Sequence, residues 1–164
     1  FIVTGDRGIG KSSYGLRVVY ETHRYLNGTL DECSKEESRI AWNVALDSCK
    51  FHIRDVIGFL RESTMADVCK PVMLWDDIGI HASGSKYFLN MKMVDQLKAV
   101  LDTIRTAISG LVMTCPTTKG LLSMLNNYDD YKLVINYGNR GGMYREVKAY
   151  KWRTLPSLSL SLCF

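Results

Sequence analysis

The sequence predicts an α/β domain of three layers, in which a mostly parallel central sheet lies between helices and the chain closes with an antiparallel basic hairpin. Three observations carry this. Short uninterrupted apolar runs at residues 1–3, 72–75 and 111–113 have the length of strands covered on both faces. Longer stretches between them repeat apolar residues at three-and-four spacing, as helices packed on such a sheet require. The chain of 164 residues, 46% hydrophobic and 23% charged, matches one domain with one core. The domain is expected over residues 1–154. The serine- and leucine-rich end, 155–164, reads as a tail, either an edge strand or a disordered end.

The first strand, Phe1-Ile2-Val3, runs into Gly5-Asp6-Arg7-Gly8-Ile9-Gly10-Lys11-Ser12. Glycine, four free residues, glycine, lysine and serine, after a strand and opening a helix, is the pattern of a phosphate-binding P-loop. Gly8 and Gly10 let backbone N–H groups turn toward phosphate oxygens, and the helix N-terminus adds partial positive charge. Lys11 would reach the β- and γ-phosphates, and the Ser12 hydroxyl would ligate magnesium. The candidate nucleotide-binding residues are therefore Gly5, Asp6, Arg7, Gly8, Ile9, Gly10, Lys11, Ser12 and Ser13. The competing reading is a glycine-rich turn with a surface lysine. The fold expected from the motif is the three-layer P-loop NTPase fold, with ATP and Mg2+ as cofactors.

The helix from Lys11 has an apolar side of Tyr14 and Val18, joined by Leu16, Val19 and Tyr25, and Gly28 is its stop. Ser34-x-x-Glu37 has the form of a capping box ahead of a short helix running to about Leu46. "CKFHI" reads as a brief strand, and "RDVIGFLRE" as a helix with Val56, Ile57 and Leu60 on one side.

"KPVMLWDDIG" is the second strong signal, an apolar strand, Val72 to Trp75, ending in Asp76-Asp77. This is the Walker B pattern. Asp76 would hold magnesium and Asp77 would polarise the attacking water. Two adjacent carboxylates at a buried strand end are costly unless a cation relieves them. An ordinary Asp-Asp turn is the alternative.

"MKMVDQLKAVLDTIRTAIS" reads as a helix with Met93, Val94, Leu97, Val100, Leu101, Ile104, Ala107 and Ile108 on its packed side and Gly110 as its end. "LVMTCP" follows as a third buried strand, closed by Pro116. Thr114, at its end, has two readings: a polar group that senses the γ-phosphate, or the cap of a helix beginning near Thr117.

The last pair of strand-like runs lies in "YKLVINYGNRGGMYREVKAYKW", joined through Gly138 to Gly142. Residues 131–154 hold six cations (Lys132, Arg140, Arg145, Lys148, Lys151, Arg153) against Glu146 alone, a net +5, when the whole chain carries +4. Tyr137, Tyr144, Tyr150 and Trp152 are interleaved with them. Cations alternating with rings are the means of sequence-tolerant nucleic-acid binding; a solvated edge hairpin is the plainer alternative.

Five scattered cysteines form no C-x-x-C pair, and with His23, His52 and His81 they give no metal-site spacing. A reducing compartment follows, and no apolar run approaches the roughly 18 residues of a membrane span. A soluble, cytoplasmic protein without a membrane span is expected.

Gly5 to Ser12, Asp76-Asp77 and Thr114, in this order and spacing, resemble the ATPases with an additional catalytic acid, the group of AAA+, RecA-like and DNA-packaging motors. "VMLWDDIG" is similar to the signature of bacterial helicase loaders and transposition helper ATPases, and the whole resembles the small ATPases of archaeal viruses and plasmids. Where AAA+ proteins carry a helical lid, this chain goes on to the basic hairpin, which tilts the likeness toward RecA-like or packaging cores.

The resemblance implies ATP hydrolysis coupled to DNA handling: helicase loading, translocation or packaging for a mobile element. It also implies a homo-oligomer or partner ATPase if an arginine acts from a neighbour, with Arg105, Arg140 and Arg145 as candidates. Catalysis would rest on Lys11, Asp77 and Thr114, and the metal on Ser12 and Asp76. Two other classes stand beside this: a regulatory NTP-dependent switch that binds a protein partner, and a small-molecule kinase. A kinase lid should carry several arginines, whereas the segment "IHASGSKYFLN" has none. No Asn/Thr-Lys-x-Asp motif occurs, which disfavours GTP.

Overall fold

The computed structural model describes residues 1–78, 91–102, 104–117, 131–138, 144–151 and 162–163. The elements run β1 (Ile2–Thr4), α1 (Lys11–Leu26), α2 (Lys35–Asp47), β2 (Cys49–Lys50), α3 (Ile53–Met65), β3 (Lys70–Trp75), α4 (Met91–Asp102), α5 (Ile104–Ala107), β4 (Ile108–Cys115), β5 (Tyr131–Tyr137), β6 (Arg145–Lys151) and β7 (Leu162–Cys163). The strands among the described residues make one seven-stranded sheet in the order β2-β3-β4-β1-β5-β6-β7. Pairing is parallel from β2 through β5. It is antiparallel at β5–β6 and β6–β7. The α/β fold with helical layers on a mostly parallel sheet is thus as the sequence predicts, and Leu162–Cys163 adds the edge strand.

Strand alternation sorts the core into two layers. Val3, Val72, Leu74, Val112, Ile135 and Val147 face α1 and α2, where they pack with Val19, Tyr20, Ala41 and Ala45. Ile2, Met73, Trp75, Met113 and Cys115 face the other way, against Ile53, Val56, Ile57, Phe59 and Leu60 of α3 and Leu101 and Ala107 of α4 and α5. Full burial of both faces explains why these strands read as unbroken apolar runs.

Helix starts and stops follow local chemistry. The Ser34 side chain accepts from the Glu37 amide at 3.2 Å and the Glu37 carboxylate accepts from the Ser34 amide at 2.8 Å, so the capping box forms. Those bonds hold the Glu37 carboxyl below its ordinary value. Gly28, at φ +69, donates to the Tyr25 carbonyl and closes α1. On α1 the ring of Tyr20 stacks on Trp42 of α2 with centroids 4.3 Å apart, and its hydroxyl meets Ser38 Oγ at 3.0 Å.

Three expectations are corrected. Ile108 is not helical and Gly110 does not end a helix: β4 starts at Ile108 and runs through Gly110, which pairs with Val72. The helix-like spacing continues into a strand because Ile108 must be buried opposite Lys70 for β4 to span the full length of β3. Tyr25 is not on the packed side of α1 but 69% exposed, the place there being taken by Tyr20. The helix expected near Thr117 lies outside the described residues.

Candidate nucleotide-binding site

The parallel strands end on one edge of the sheet, and there the sequence's chemical residues gather. The register aligns Val3 with Thr114 and Thr4 with Cys115, while Trp75 pairs with Met113. Gly5, Thr114 and Asp76 therefore stand at the carboxyl ends of β1, β4 and β3. With neighbouring strands about 4.8 Å apart, β1 and β3 are about 10 Å apart across β4. Between β1 and β3 the helices also change faces, and the crevice outside such a switch point is where ligands bind in open α/β sheets.

The loop from Gly5 to Gly10 is built on three glycines of positive φ, Gly5 at +151, Gly8 at +75 and Gly10 at +97. At Gly5 a Cβ would come within 2.5 Å of the Ile135 carbonyl oxygen, so β5 excludes any side chain there. At Gly8 and Gly10 nothing lies within 4 Å of the Cβ position, and the backbone stands open to whatever approaches it. Ile9 between them is buried in the layer under α1. Gly10 caps α1, whose first internal bond is Tyr14 N–H to the Gly10 carbonyl at 2.9 Å. Asp6, Arg7, Ser12 and Ser13 are exposed around this mouth. The Lys11 ammonium reaches back across the loop and donates to the carbonyl oxygens of Gly5 at 2.9 Å and Asp6 at 2.7 Å.

Thr114 ties the neighbouring strands together. Its buried hydroxyl donates to Asp76 Oδ1 in a short hydrogen bond and accepts from the Asp77 N–H at 2.9 Å. Asp76 is buried, and Asp77, half-buried, turns the chain with φ +51. The same threonine faces α1: a Cβ on Gly15 would lie 3.5 Å from Thr114 Cγ2 and 2.7 Å from Leu74 Cδ1. One turn beyond Lys11, the helix thus rests on Leu74 and Thr114, so that Lys11 and Ser12 open α1 at the same sheet edge where Thr114 holds Asp76 and Asp77.

Two contacts around this corner, those of Cys49 and of Arg145, escaped sequence reasoning, although Arg145 itself was among the candidate arginines. Cys49 of β2 pairs in register with Leu74, and its thiol is pushed up to about 11 by burial and by the negative charge of Asp76. Arg145 of β6 donates from Nε to the Ile9 carbonyl at 3.1 Å, with its guanidinium 4.5 Å from the Tyr137 ring centre. It therefore lies on its own P-loop. Arg105 precedes β4 and so stands at the amino edge, roughly 25 Å from the P-loop by strand rise. Arg140 lies outside the described residues.

The cations of the ribbon are divided. Tyr131 opposite Lys151 and Tyr137 opposite Arg145 share the face of buried Ile135 and Val147, whereas Lys132 opposite Tyr150 and Val134 opposite Lys148 share the other. Among the described residues no helix is long and apolar enough to cross a membrane, and no three His, Cys, Asp or Glu side chains cluster.

No protein-family model matches the chain. It is 28% identical over 116 residues to the uncharacterized protein B-251 of Sulfolobus spindle-shape virus 1, covering 71% of this chain and 42% of that protein. It is 28% identical over 141 residues to the uncharacterized protein ORF286 of Acidianus two-tailed virus, covering 85% of this chain and 44% of that one. The chain thus spans less than half the length of either viral relative. Among solved structures, the N-terminal domain of zonular occludens toxin from Neisseria meningitidis aligns over 99% of this chain and 91% of its own, with TM-score 0.54 and 13% identity. The flagellar accessory protein FlaH from Methanocaldococcus jannaschii aligns over 98% and 81%, with TM-score 0.50 and 15% identity. The fold these share with the chain is the α/β fold of the P-loop NTPases.

Proposed function

We propose that the chain binds ATP as its magnesium complex and hydrolyses it, with DNA handling as the output. The observation that carries the first part is the glycine loop opening α1 beside the Asp76–Thr114 pair. Gly8 and Gly10, open at their Cβ positions, leave room for a phosphate chain against backbone N–H groups. Lys11, which donates to two loop carbonyls, would exchange those for phosphate oxygens of the same polarity. Ser12 at the helix start and Asp76 at the strand end are hard oxygen donors of the kind magnesium takes. The metal would supply charge neutralisation at the β- and γ-phosphates. Asp77 orients and polarises the attacking water, and Thr114 fixes the backbone and side chain of the two aspartates.

The test is titration of the chain with a fluorescent ATP analogue, with and without magnesium, alongside phosphate release. The parent is expected to bind and turn over. Lys11→Ala should abolish binding or turnover with an unchanged far-ultraviolet spectrum, since the side chain it removes is on the loop surface. A parent that binds no nucleotide would sink the reading, as would a Lys11→Ala variant with unchanged binding and turnover.

DNA as partner rests on the charge of residues 131–154. Because Lys148 and Lys151 lie on opposite faces of β6, one phosphate-tracking surface would use Lys132 and Lys148 with Tyr150. Reversing Lys132 and Lys148 to Glu should then weaken DNA binding for all sequences alike and flatten the slope of log affinity against log salt by roughly one unit for each phosphate no longer neutralised. Unchanged affinity and slope would remove DNA from the proposal.

A further inference from the structure

The P-loop is anchored at its middle. Gly8 and Gly10 carry no side chains and have open surroundings, and glycine is the residue with most backbone freedom to lose. A loop left to them would pay an ordering cost on each binding event. Ile9 between them is held twice: its side chain is buried in the layer beneath α1, and its carbonyl oxygen accepts from Arg145 Nε at 3.1 Å. Arg145 comes from the first residue of β6, 136 positions away. Its guanidinium is aimed by its cross-strand partner Tyr137, 4.5 Å from the ring centre, and Nη1 donates to the Tyr144 carbonyl at 3.4 Å. A charge-assisted bond at this point both fixes the turn and adds positive charge beside the phosphate cradle.

We infer that Arg145 is a positioning residue for nucleoside polyphosphate binding: through the Ile9 carbonyl it fastens the P-loop to the β5–β6 ribbon and presets the loop's N–H groups. The inference rests on the nucleotide-binding reading and deepens it. Loop and ribbon are then one mechanical unit, and by linkage any partner that displaces the start of β6 changes nucleotide affinity, and the reverse.

The experiment compares the full chain with Arg145→Gln, Arg145→Lys and Tyr137→Leu by two readouts. The first, amide hydrogen exchange without nucleotide, should accelerate about tenfold or more at residues 8–11 in Arg145→Gln, with β1 and β4 unchanged. The second, affinity for ATP and for ADP, should fall together by about tenfold or more. Arg145→Lys, which keeps the charge, should recover part of both effects, and Tyr137→Leu should show a smaller loss of each. If the parent binds nucleotide but Arg145→Gln leaves loop exchange and affinity unchanged, this inference fails alone. Loss of exchange protection throughout the sheet of Arg145→Gln, with no recovery in Arg145→Lys, also overturns it, because the arginine is then only part of the fold. A parent that binds no nucleotide fails the functional reading and this inference with it.

Discussion

Replacing Thr114 with valine keeps the shape of the side chain and deletes the hydroxyl that joins β4 to the two aspartates. Two hydrogen bonds go with it, one donated to the Asp76 carboxylate and one accepted from the Asp77 N–H, at a site where Thr114 is 1% and Asp76 6% exposed. A bond to a charged group contributes about 1.5–3 kcal/mol and a neutral one about 1 kcal/mol, so Thr114→Val should destabilise by about 3 kcal/mol. For a chain of this size that is a fall in thermal midpoint of about 6–12 °C. Thr114→Ser keeps the hydroxyl and loses only the methyl group facing Gly15, costing about 1 kcal/mol, or about 2–4 °C. Differential scanning calorimetry of the three proteins separates the polar from the packing contribution. A Thr114→Val midpoint within about 2 °C of the parent, or Thr114→Ser as low as Thr114→Val, would refute the hydroxyl's role.

Gly5→Ala should destabilise by about 3 kcal/mol or prevent folding, because its Cβ meets the Ile135 carbonyl oxygen at 2.5 Å in a backbone conformation already costly for an L side chain; urea denaturation checks this. Asp77→Asn should fold as well as the parent, since asparagine accepts the positive φ found there, and should keep nucleotide binding while phosphate release falls by at least about a hundredfold. Cys49, raised from its ordinary 9.0 to about 11, favours the folded state as a neutral thiol. That stability is present below pH 9 and lost as pH rises toward 11, and at pH 8.5 iodoacetamide should label Cys49 far more slowly than exposed Cys69, as peptide mass spectrometry would read.

Legibility in the sequence tracked the range of the interactions. The P-loop and the Asp76-Asp77 strand end were readable because their chemistry lies within a dozen residues, and Ser34 with Glu37 because a capping box is local. Where the helix before β4 stops was not readable. Apolar residues keep helical spacing through Ile108, and only pairing with β3, nearly forty positions earlier, turns Ile108 and Gly110 into strand. Arg145 on Ile9 and Cys49 beside Asp76 are meetings of distant segments that no spacing announces. The basic run was visible as a charge excess, but its division between two faces needed the β5–β6 register, since a one-residue offset would exchange them.

The place of β1 in the middle of the sheet has a consequence in time. Its parallel partners begin far downstream, Ile2 meeting Met113 on one side and Lys132 on the other. At roughly 5–20 residues per second a ribosome needs about 6–22 s to deliver the first of these. Until β4 is made, the apolar segment Ile2–Thr4 and the glycines after it lack a strand to pair with, and the partner open to α1 is α2, through Tyr20 on Trp42. The corner of the glycine loop, Asp76 and Thr114 therefore cannot close before β4 has been made, and a ligand taken up there would stabilise the finished fold without guiding its beginning.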